Sequence, residues 1–379
     1  MASSSWDLVV VGAGPAGSAA ALAALRVRPG ARVLLLDRAD FPRDKACGDG
    51  IAPHALDVLA ELGLPGLLDD HRPVHRLALG FPGGPTAARD MRRPARVVPR
   101  AVLDARVRDG ALRAGAVPGR RTVRGVTPLP GGEGLLVDGD LRARAVVAAD
   151  GAGSVLRRGL GIVGNGPGHV AMALRGYAPV RGDLAGEQRI VFAEQDQPAY
   201  AWSFPVGDGR ANVGYGQVLR EGRPLSKAHL LSRLEHLLPG ASTGGTGWRG
   251  HHLPLSSRRP RQPDGPLLLA GDAASLVNPL TGEGIYYAVL SGACAGAAAV
   301  GTDDPGRTYR RMLRRRLGRH LRHTTAVSAL SGVPAVVPAG VRAAARDPRV
   351  FDALVELGLG RGLLGPRTLA GTARALLAP

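Results

Sequence analysis

Glycines and two carboxylates carry the first chemistry in this chain. Gly12-Ala13-Gly14-Pro15-Ala16-Gly17 follows the apolar run Leu8 to Val11. Gly12 suits a tight turn, Gly14 lets backbone amides approach a pyrophosphate, and Gly17 lets a helix sit against the strand, so that an anion rests on the helix N-terminus. Asp37 ends the next apolar run, 20 residues past Gly17, where a carboxylate can bind a ribose hydroxyl. The same acid argues against a 2′-phosphate, since two anions repel. Further on, Gly271-Asp272-Ala273-Ala274 follows Leu267 to Ala270, and Pro279-Leu280-Thr281-Gly282-Glu283-Gly284-Ile285 opens a helix. A carboxylate at a strand end can accept hydrogen bonds from a sugar-alcohol chain, and amides at a helix start can stabilise negative charge on a ring. A nicotinamide needs neither feature, whereas a ribityl chain and an isoalloxazine need both. The expected cofactor is therefore FAD.

These residues need a frame. The apolar runs Leu8 to Val11 and Arg32 to Leu36, with the helix-forming stretch Ser18 to Arg26 between them, read as a βαβ unit opening a doubly wound parallel sheet. A helix is expected over Arg100 to Ala114, and strands over Arg120 to Val126, Gly134 to Val137 and Ala145 to Ala149, the last closing on Asp150-Gly151. The sheet returns at Leu267 to Ala270. Arg76 to Met91 and Val163 to Leu253 have a different texture, with alternating runs such as Gln188 to Ala193 and Ala211 to Gly216, and suggest antiparallel strands of a second domain. From Pro305 the chain reads as helical and arginine-rich. The expectation is an α/β protein in which a Rossmann-like FAD-binding domain (residues 1–75, 96–162 and 258–302) is interleaved with an antiparallel β-sheet substrate domain (76–95 and 163–257), followed by C-terminal helices (303–379).

Gly12 to Gly17, Asp150-Gly151 and Gly271-Asp272 resemble the three fingerprints of the p-hydroxybenzoate hydroxylase-like flavoprotein superfamily of monooxygenases and reductases. Within it, three less common segments resemble the geranylgeranyl reductase family: Phe41-Pro42-Arg43-Asp44-Lys45-Ala46-Cys47-Gly48-Asp49-Gly50, Tyr200-Ala201-Trp202-Ser203-Phe204-Pro205 with Val213-Gly214 beyond, and Asn278 to Ile285. The likeness runs over roughly residues 5 to 300. It implies FAD held by Gly12, Gly14, Ala16, Gly17, Asp37 and Arg38, with Cys47, Gly48 and Gly50 passing beside the flavin. Arg100 would begin a helix reaching the cofactor, with Asp104 one turn on. Asp272 would hold the ribityl chain, and Pro279, Gly282, Gly284 and Ile285 would present backbone to the flavin. Tyr200, Trp202 and Phe204 would line a cavity for an isoprenoid chain.

If residues 200–205 form a strand, these three rings share one face. Plain core packing is the competing reading, but the chain has only 5 Phe, 3 Trp and 6 Tyr, and three of them on one face favour an apolar ligand wall. The family reduces carbon-carbon double bonds of prenyl chains, which takes a hydride from flavin N5 and a proton for the other carbon. Cys47 is the candidate catalytic donor or modulator, against the usual inert packing of a buried thiol, and Glu283 is a second candidate. Departures from the family include the acid in Cys-Gly-Asp-Gly and a short chain after the last flavin motif. No second glycine fingerprint provides an NADPH domain, so electrons would come from transiently bound NADPH or from a redox protein. The alternatives are an FAD monooxygenase, hydroxylating or epoxidising a natural-product intermediate, and a flavin halogenase, which the Tyr200 to Pro205 segment disfavours. A non-enzymatic flavin-binding role is the rival from another class. His251-His252 is expected on a loop or sheet, and no metal is expected because no third ligand stands at workable spacing.

Composition bounds the rest. A chain of 379 residues, 45% hydrophobic and 21% charged, suits two folded domains. Its net charge of +18 would ordinarily point to a polyanion, but only Lys45 and Lys227 among 49 basic residues are lysines, which reads as the codon bias of a GC-rich genome. No nucleic-acid partner is expected. One excess is local: Arg310, Arg311, Arg314, Arg315, Arg316, Arg319 and Arg322 surround Leu313, Leu317 and Leu321. A helix over residues 310–323 would be basic and amphipathic, either solvated and packed on the FAD domain or in peripheral contact with anionic membrane. Two cysteines, a start without a signal-peptide pattern, and a longest uncharged stretch (Thr324 to Val341) broken by glycine and proline predict a cytoplasmic protein. Its membrane contact would be with the inner face.

Overall fold

A computed structural model describes residues 5–131, 134–223 and 225–377. The first four residues of the expected 1–75 segment, residues 132–133 and 224, and the last two of 303–379 lie outside it. The chain opens with β1 (Trp6–Val11), α1 (Pro15–Val27) and β2 (Val33–Asp37), which form a parallel βαβ unit. Gly14 stands at the N-cap and Pro15 at the first helical position, where its missing N–H costs nothing. The chain then contributes β3 (Gly50–Ile51), α2 (Pro53–Glu61), β4 (Pro73–Gly80) and β5 (Thr86–Val97) before α3 (Arg100–Arg113).

Next come β6 (Val117–Arg120), β7 (Val126–Pro128), β8 (Leu135–Val137), β9 (Leu141–Ala148) and the short α4 (Val155–Gly159). The continuous strand expected over Arg120 to Val126 is absent. Arg121 turns aside to pair with Asp138 and Asp140, while the amides of Arg124 and Gly125 donate to Asp138 Oδ1. After these follow β10 (Val170–Pro179), β11 (Glu187–Phe192), β12 (Ala199–Pro205), β13 (Arg210–Val218), α5 (Lys227–Leu237) and β14 (Thr246–Pro254). The chain closes with β15 (Leu267–Leu269), α6 (Ile285–Gly301), α7 (Pro305–Leu330), α8 (Val336–Arg346), α9 (Pro348–Leu359) and α10 (Pro366–Leu377).

Two sheets result. The seven-stranded sheet runs β6-β2-β1-β9-β8-β7, with β15 also on β9. It is not wholly parallel: β7, β8 and the start of β9 form an antiparallel meander, because short turns connect them and a parallel crossover needs a longer link. Beyond that meander, Val146 to Ala148 pair with β15 in parallel. The eight-stranded sheet runs β14-β10-β13-β12-β11-β4-β5-β3. Its one parallel pair, β4 with β11, corrects the all-antiparallel expectation; the chain passes through the other sheet between these strands and re-enters in the same direction. This sheet also takes in Gly50-Ile51 through β3, so the Cys47 loop leads directly into the wall of the substrate side.

Small residues set the packing of the first sheet's helices. Every residue of α1 from Pro15 to Leu25 is buried. On α6, a Cβ added at Gly292 would lie 2.0 Å from Ala16 O, and one at Gly296 would lie 1.9 Å from Ala20 O. The alanine-glycine run of α6 is therefore the face that lets the two backbones touch.

Candidate active site

One cavity of about 870 Å³ runs from the glycine turn, past the Cys47 loop, to the C-terminal helices. At its first end Gly12 has φ +102°, and a side chain there would meet Ala149 O at 2.3 Å. Gly17 lies so close to Gly12 that its added Cβ would fall 1.7 Å from Gly12 O. Both positions are thus closed to any larger residue, and the turn leaves α1 aimed at the cavity. Asp37 accepts from Ala13 N at 2.8 Å and Ala39 N at 2.9 Å, which fixes its carboxylate at the cavity edge next to Arg38. Asp150 accepts from Val155 N at 2.8 Å through Oδ2, while its buried Oδ1 has no partner and the residue lines the cavity. An orphaned carboxylate oxygen beside a glycine cradle is what a ligand hydroxyl would satisfy.

The segment Phe41 to Cys47 supplies two cations that sequence reasoning left without a role. Arg43 Nη1 stands 3.4 Å from Asp104 Oδ2, and its Nη2 stands 3.8 Å from Asp37 Oδ2. Lys45 Nζ donates to Asp272 Oδ2 at 3.0 Å. Burial alone would raise the Asp272 carboxyl, but Lys45 and His251 together hold it well below its ordinary range. Arg100 is buried and binds both oxygens of Asp104, at 2.7 and 2.8 Å, so two guanidiniums meet this acid at the start of α3. His251 and His252 lie on β14, and His251 faces the cavity 3.8 Å from Asp272.

At the middle of the cavity, Cys47 Sγ accepts from Asp49 N at 3.3 Å. Burial pushes the Cys47 thiol up, and nearby Arg100 opposes this without reversing it. Asp49 is fully buried at φ 59°, a left-handed conformation that acidic residues tolerate better than most. Burial pushes its carboxyl up to about 6, although Tyr177 and Asn212 both donate to it; Oδ1 is buried with no partner. Glu283 caps α6 by accepting from Tyr286 N at 2.8 Å, and its enclosed position pushes it up to about 7. Gly282, with φ +70°, turns the chain so that Gly284 and Ile285 start α6 against the cavity, with Pro279 also on its wall.

Tyr200, Trp202 and Phe204 do share one face of β12. Their ring centroids step along it at 5.9 and 6.5 Å, and all three line the cavity. Gly214 pairs with Trp202 across β13, and a Cβ there would fall 2.3 Å from Trp202 Cζ2; the glycine makes the space the indole fills. Gly48 and Gly50 lie on the other side of the rings, their added Cβ atoms 3.5 to 3.6 Å from Trp202 or Phe204. Tyr200 OH donates to Thr281 O, which ties the aromatic wall to the turn before α6. Beyond Tyr200 the lining becomes aliphatic, with Val327, Leu330, Val337, Val341, Leu354 and Leu369 from the C-terminal helices.

A family model described as an FAD binding domain matches residues 5–293. A menaquinone reductase of Mycolicibacterium smegmatis is 36% identical over 313 residues, 76% of this chain and 75% of that protein. A digeranylgeranylglycerophospholipid reductase of Methanopyrus kandleri is 33% identical over 327 residues, covering 82% of this chain and 84% of that one. The chain belongs to the geranylgeranyl reductase family of FAD-dependent oxidoreductases. A solved geranylgeranyl bacteriochlorophyll reductase-like protein from Thermoplasma acidophilum shares the fold at a TM-score of 0.79 and 21% identity, over 98% of this chain and 96% of that one. The family's cofactor fits the glycine cradle, the orphaned Asp150 oxygen and the buried acid Asp272 at the first end of the cavity.

Proposed function

We propose that the chain saturates carbon-carbon double bonds of an isoprenoid chain carried by a lipid or quinone. The observation that supports this most is the continuity of the cavity from the glycine turn through the aromatic wall into an aliphatic channel. A site for a compact aromatic substrate would need only the middle of that space.

Gly12, Gly14, Ala16 and Gly17 would hold the FAD pyrophosphate, Asp37 and Arg38 the adenosine side, and Asp272 the ribityl chain. Gly48 and Gly50, with the backbone of Pro279, Gly282, Gly284 and Ile285, would flank the ring. Reduced FAD supplies the hydride in this chemistry. The chain's own residues then orient the alkene and deliver a proton. Trp202 and its neighbours exclude water and hold the flat olefin by apolar contact. Cys47 keeps its proton at neutral pH because burial raises its thiol, so it can donate to the carbon that the hydride does not reach. Arg100 holds both oxygens of Asp104 at the base of α3 and so fixes the start of that helix beside the Cys47 loop. The reduced enzyme, incubated without oxygen with a prenyl lipid, should add two hydrogens per double bond by mass. A product that gains an oxygen, and forms only in air, would instead assign a monooxygenase.

The names of the relatives, a menaquinone reductase and a digeranylgeranylglycerophospholipid reductase, support a lipid as the substrate. Among the described residues no helix is long and apolar enough to cross a membrane. Peripheral contact with an anionic surface through residues 310–323 of α7 is part of this proposal.

A further inference from the structure

The outer surface of the C-terminal helices connects the arginines of α7 to the far end of the cavity. Along α7, Arg311, Arg314, Arg315, Arg316, Arg319 and Arg322 are exposed, and among the described residues none of them makes an ion pair. Arg310, by contrast, is partly buried against Asp264. Elsewhere exposed arginines are of both kinds: Arg93 and Arg210 each hold an aspartate, whereas Arg113, Arg142 and Arg374 make no ion pair among the described residues, so what marks α7 is that six unpaired guanidiniums share one helix. Helical spacing carries the Arg315, Arg319 and Arg322 face on to Ala326 and Leu330, both exposed. The helix thus changes from cationic to apolar along one stripe.

Leu330 is also where the stripe reaches the cavity. It lines the channel and is 50% exposed, as is Leu369 of α10, which lines the same channel; Val333, just past the end of α7, is 51% exposed. From Leu369 the outer face of α10 continues through Ala373 to Leu376 and Leu377, all exposed and spaced to share a face. Exposed leucines in such a series make an unpartnered apolar surface, and α7 beside it carries no acidic residue.

We infer that this surface is a bilayer dock surrounding the substrate entrance. The arginines of α7 rest on anionic headgroups, the α10 face and Leu330 sink to the acyl boundary, and the prenyl chain passes between Leu330 and Leu369 without crossing water. Charge complementarity selects a bilayer over a second copy of this chain, since a copy would bring an equally cationic α7 to the contact. The inference rests on the isoprenoid reading for what enters, but not for where the chain docks.

Flotation of the FAD-loaded full chain with vesicles of phosphatidylcholine, with or without phosphatidylglycerol, tests it. Binding should require phosphatidylglycerol and fade at high salt, with each arginine neutralised in Arg315→Gln/Arg319→Gln weakening it about fivefold. Leu376→Asp should reduce binding even to anionic vesicles while leaving flavin content intact. In both variants the rate on vesicle-held prenyl lipid should fall relative to the rate on the same lipid in detergent. Equal binding to neutral vesicles, or none to anionic ones, overturns the dock. So does a dimer in light scattering that Leu376→Asp splits while flotation is unchanged. Flotation as expected by a chain that reduces no prenyl lipid in either form supports the dock and overturns the isoprenoid reading instead.

Discussion

Trp202 Nε1 donates to Asn212 Oδ1 at 2.8 Å, and the same amide donates from Nδ2 to Cys47 O and to Asp49 Oδ2, each at 2.8 Å. One buried side chain therefore joins the aromatic wall on β12 to the loop beside the flavin. Asn212→Ala leaves the indole N–H, a carbonyl and a carboxylate oxygen with fewer partners, at a cost of about 1 to 3 kcal/mol for each group left unsatisfied. Urea unfolding of the FAD-free protein should show a loss at the upper end of that range. Asn212→Asp should do no better, because it sets a second carboxylate against Asp49.

Asp272→Ala removes the buried acid assigned to the ribityl chain and leaves Lys45 without its partner. Flavin affinity should fall by tenfold or more, taking about 1.5 to 3 kcal/mol for a hydrogen bond to a charged group. Titration of apoprotein with FAD, followed by flavin fluorescence, measures it. Unchanged affinity would remove Asp272 from the site.

Cys47→Ala should retain flavin and lower alkene reduction by about 100-fold or more, the usual contribution of a placed acid. Single-turnover oxidation of the reduced flavin by a prenyl substrate reads that step directly. Glu283→Gln separates the second candidate: if Glu283 supplied the proton, the native rate would fall above pH 7 and the variant would be slow at every pH, whereas with Cys47 as donor the variant keeps most of the native rate.

Asp49 and Glu283 also tie stability to pH. Both are raised in the folded state, to about 6 and about 7, chiefly by burial. The folded state binds their protons more tightly than the unfolded chain does. Their favourable contribution is thus full below the ordinary carboxylate range and is lost as pH rises through 6 and 7. Thermal melts of apoprotein at pH 5 and pH 8 should show a larger decline for the native sequence than for Asp49→Asn/Glu283→Gln.

Gly214→Ala places a methyl where Trp202 Cζ2 and Leu174 O each lie 2.3 Å away. Overpacking of this kind costs about 1 to 3 kcal/mol. Relieving the first contact moves the indole off the cavity wall, and relieving the second shifts β13 from β10, so KM for a prenyl substrate should rise more than kcat falls. Trp202 emission should shift to the red.

The cofactor end was readable in the sequence because Gly12, Gly17, Asp37 and Asp272 are constrained by backbone geometry and by a fixed strand-turn-helix order. The aromatic wall was readable by alternation alone. Asn212, Tyr177 and Lys45 were not, since each acts across 128 to 227 residues of separation and carries no local pattern. Asp49 stood out as an added acid beside Cys47, but its left-handed backbone and its two donors depend on the second sheet. The aliphatic channel was hidden for another reason: the valines and leucines of α7 to α10 look like any helix core until the cavity they leave is seen.

The contact of α1 with α6 has a consequence for synthesis of the chain. Ala16 and Ala20 emerge early, yet the glycines that cover them lie at 292 and 296. β9 likewise lacks β15 until residue 267 has been made. Roughly three quarters of the polypeptide must leave the ribosome before the first helix can be sealed, so the nascent chain carries α1 with its α6-facing side uncovered for most of its translation. Protein stopped before Gly292 should be a chaperone client and a protease substrate, whatever its glycine turn looks like in isolation.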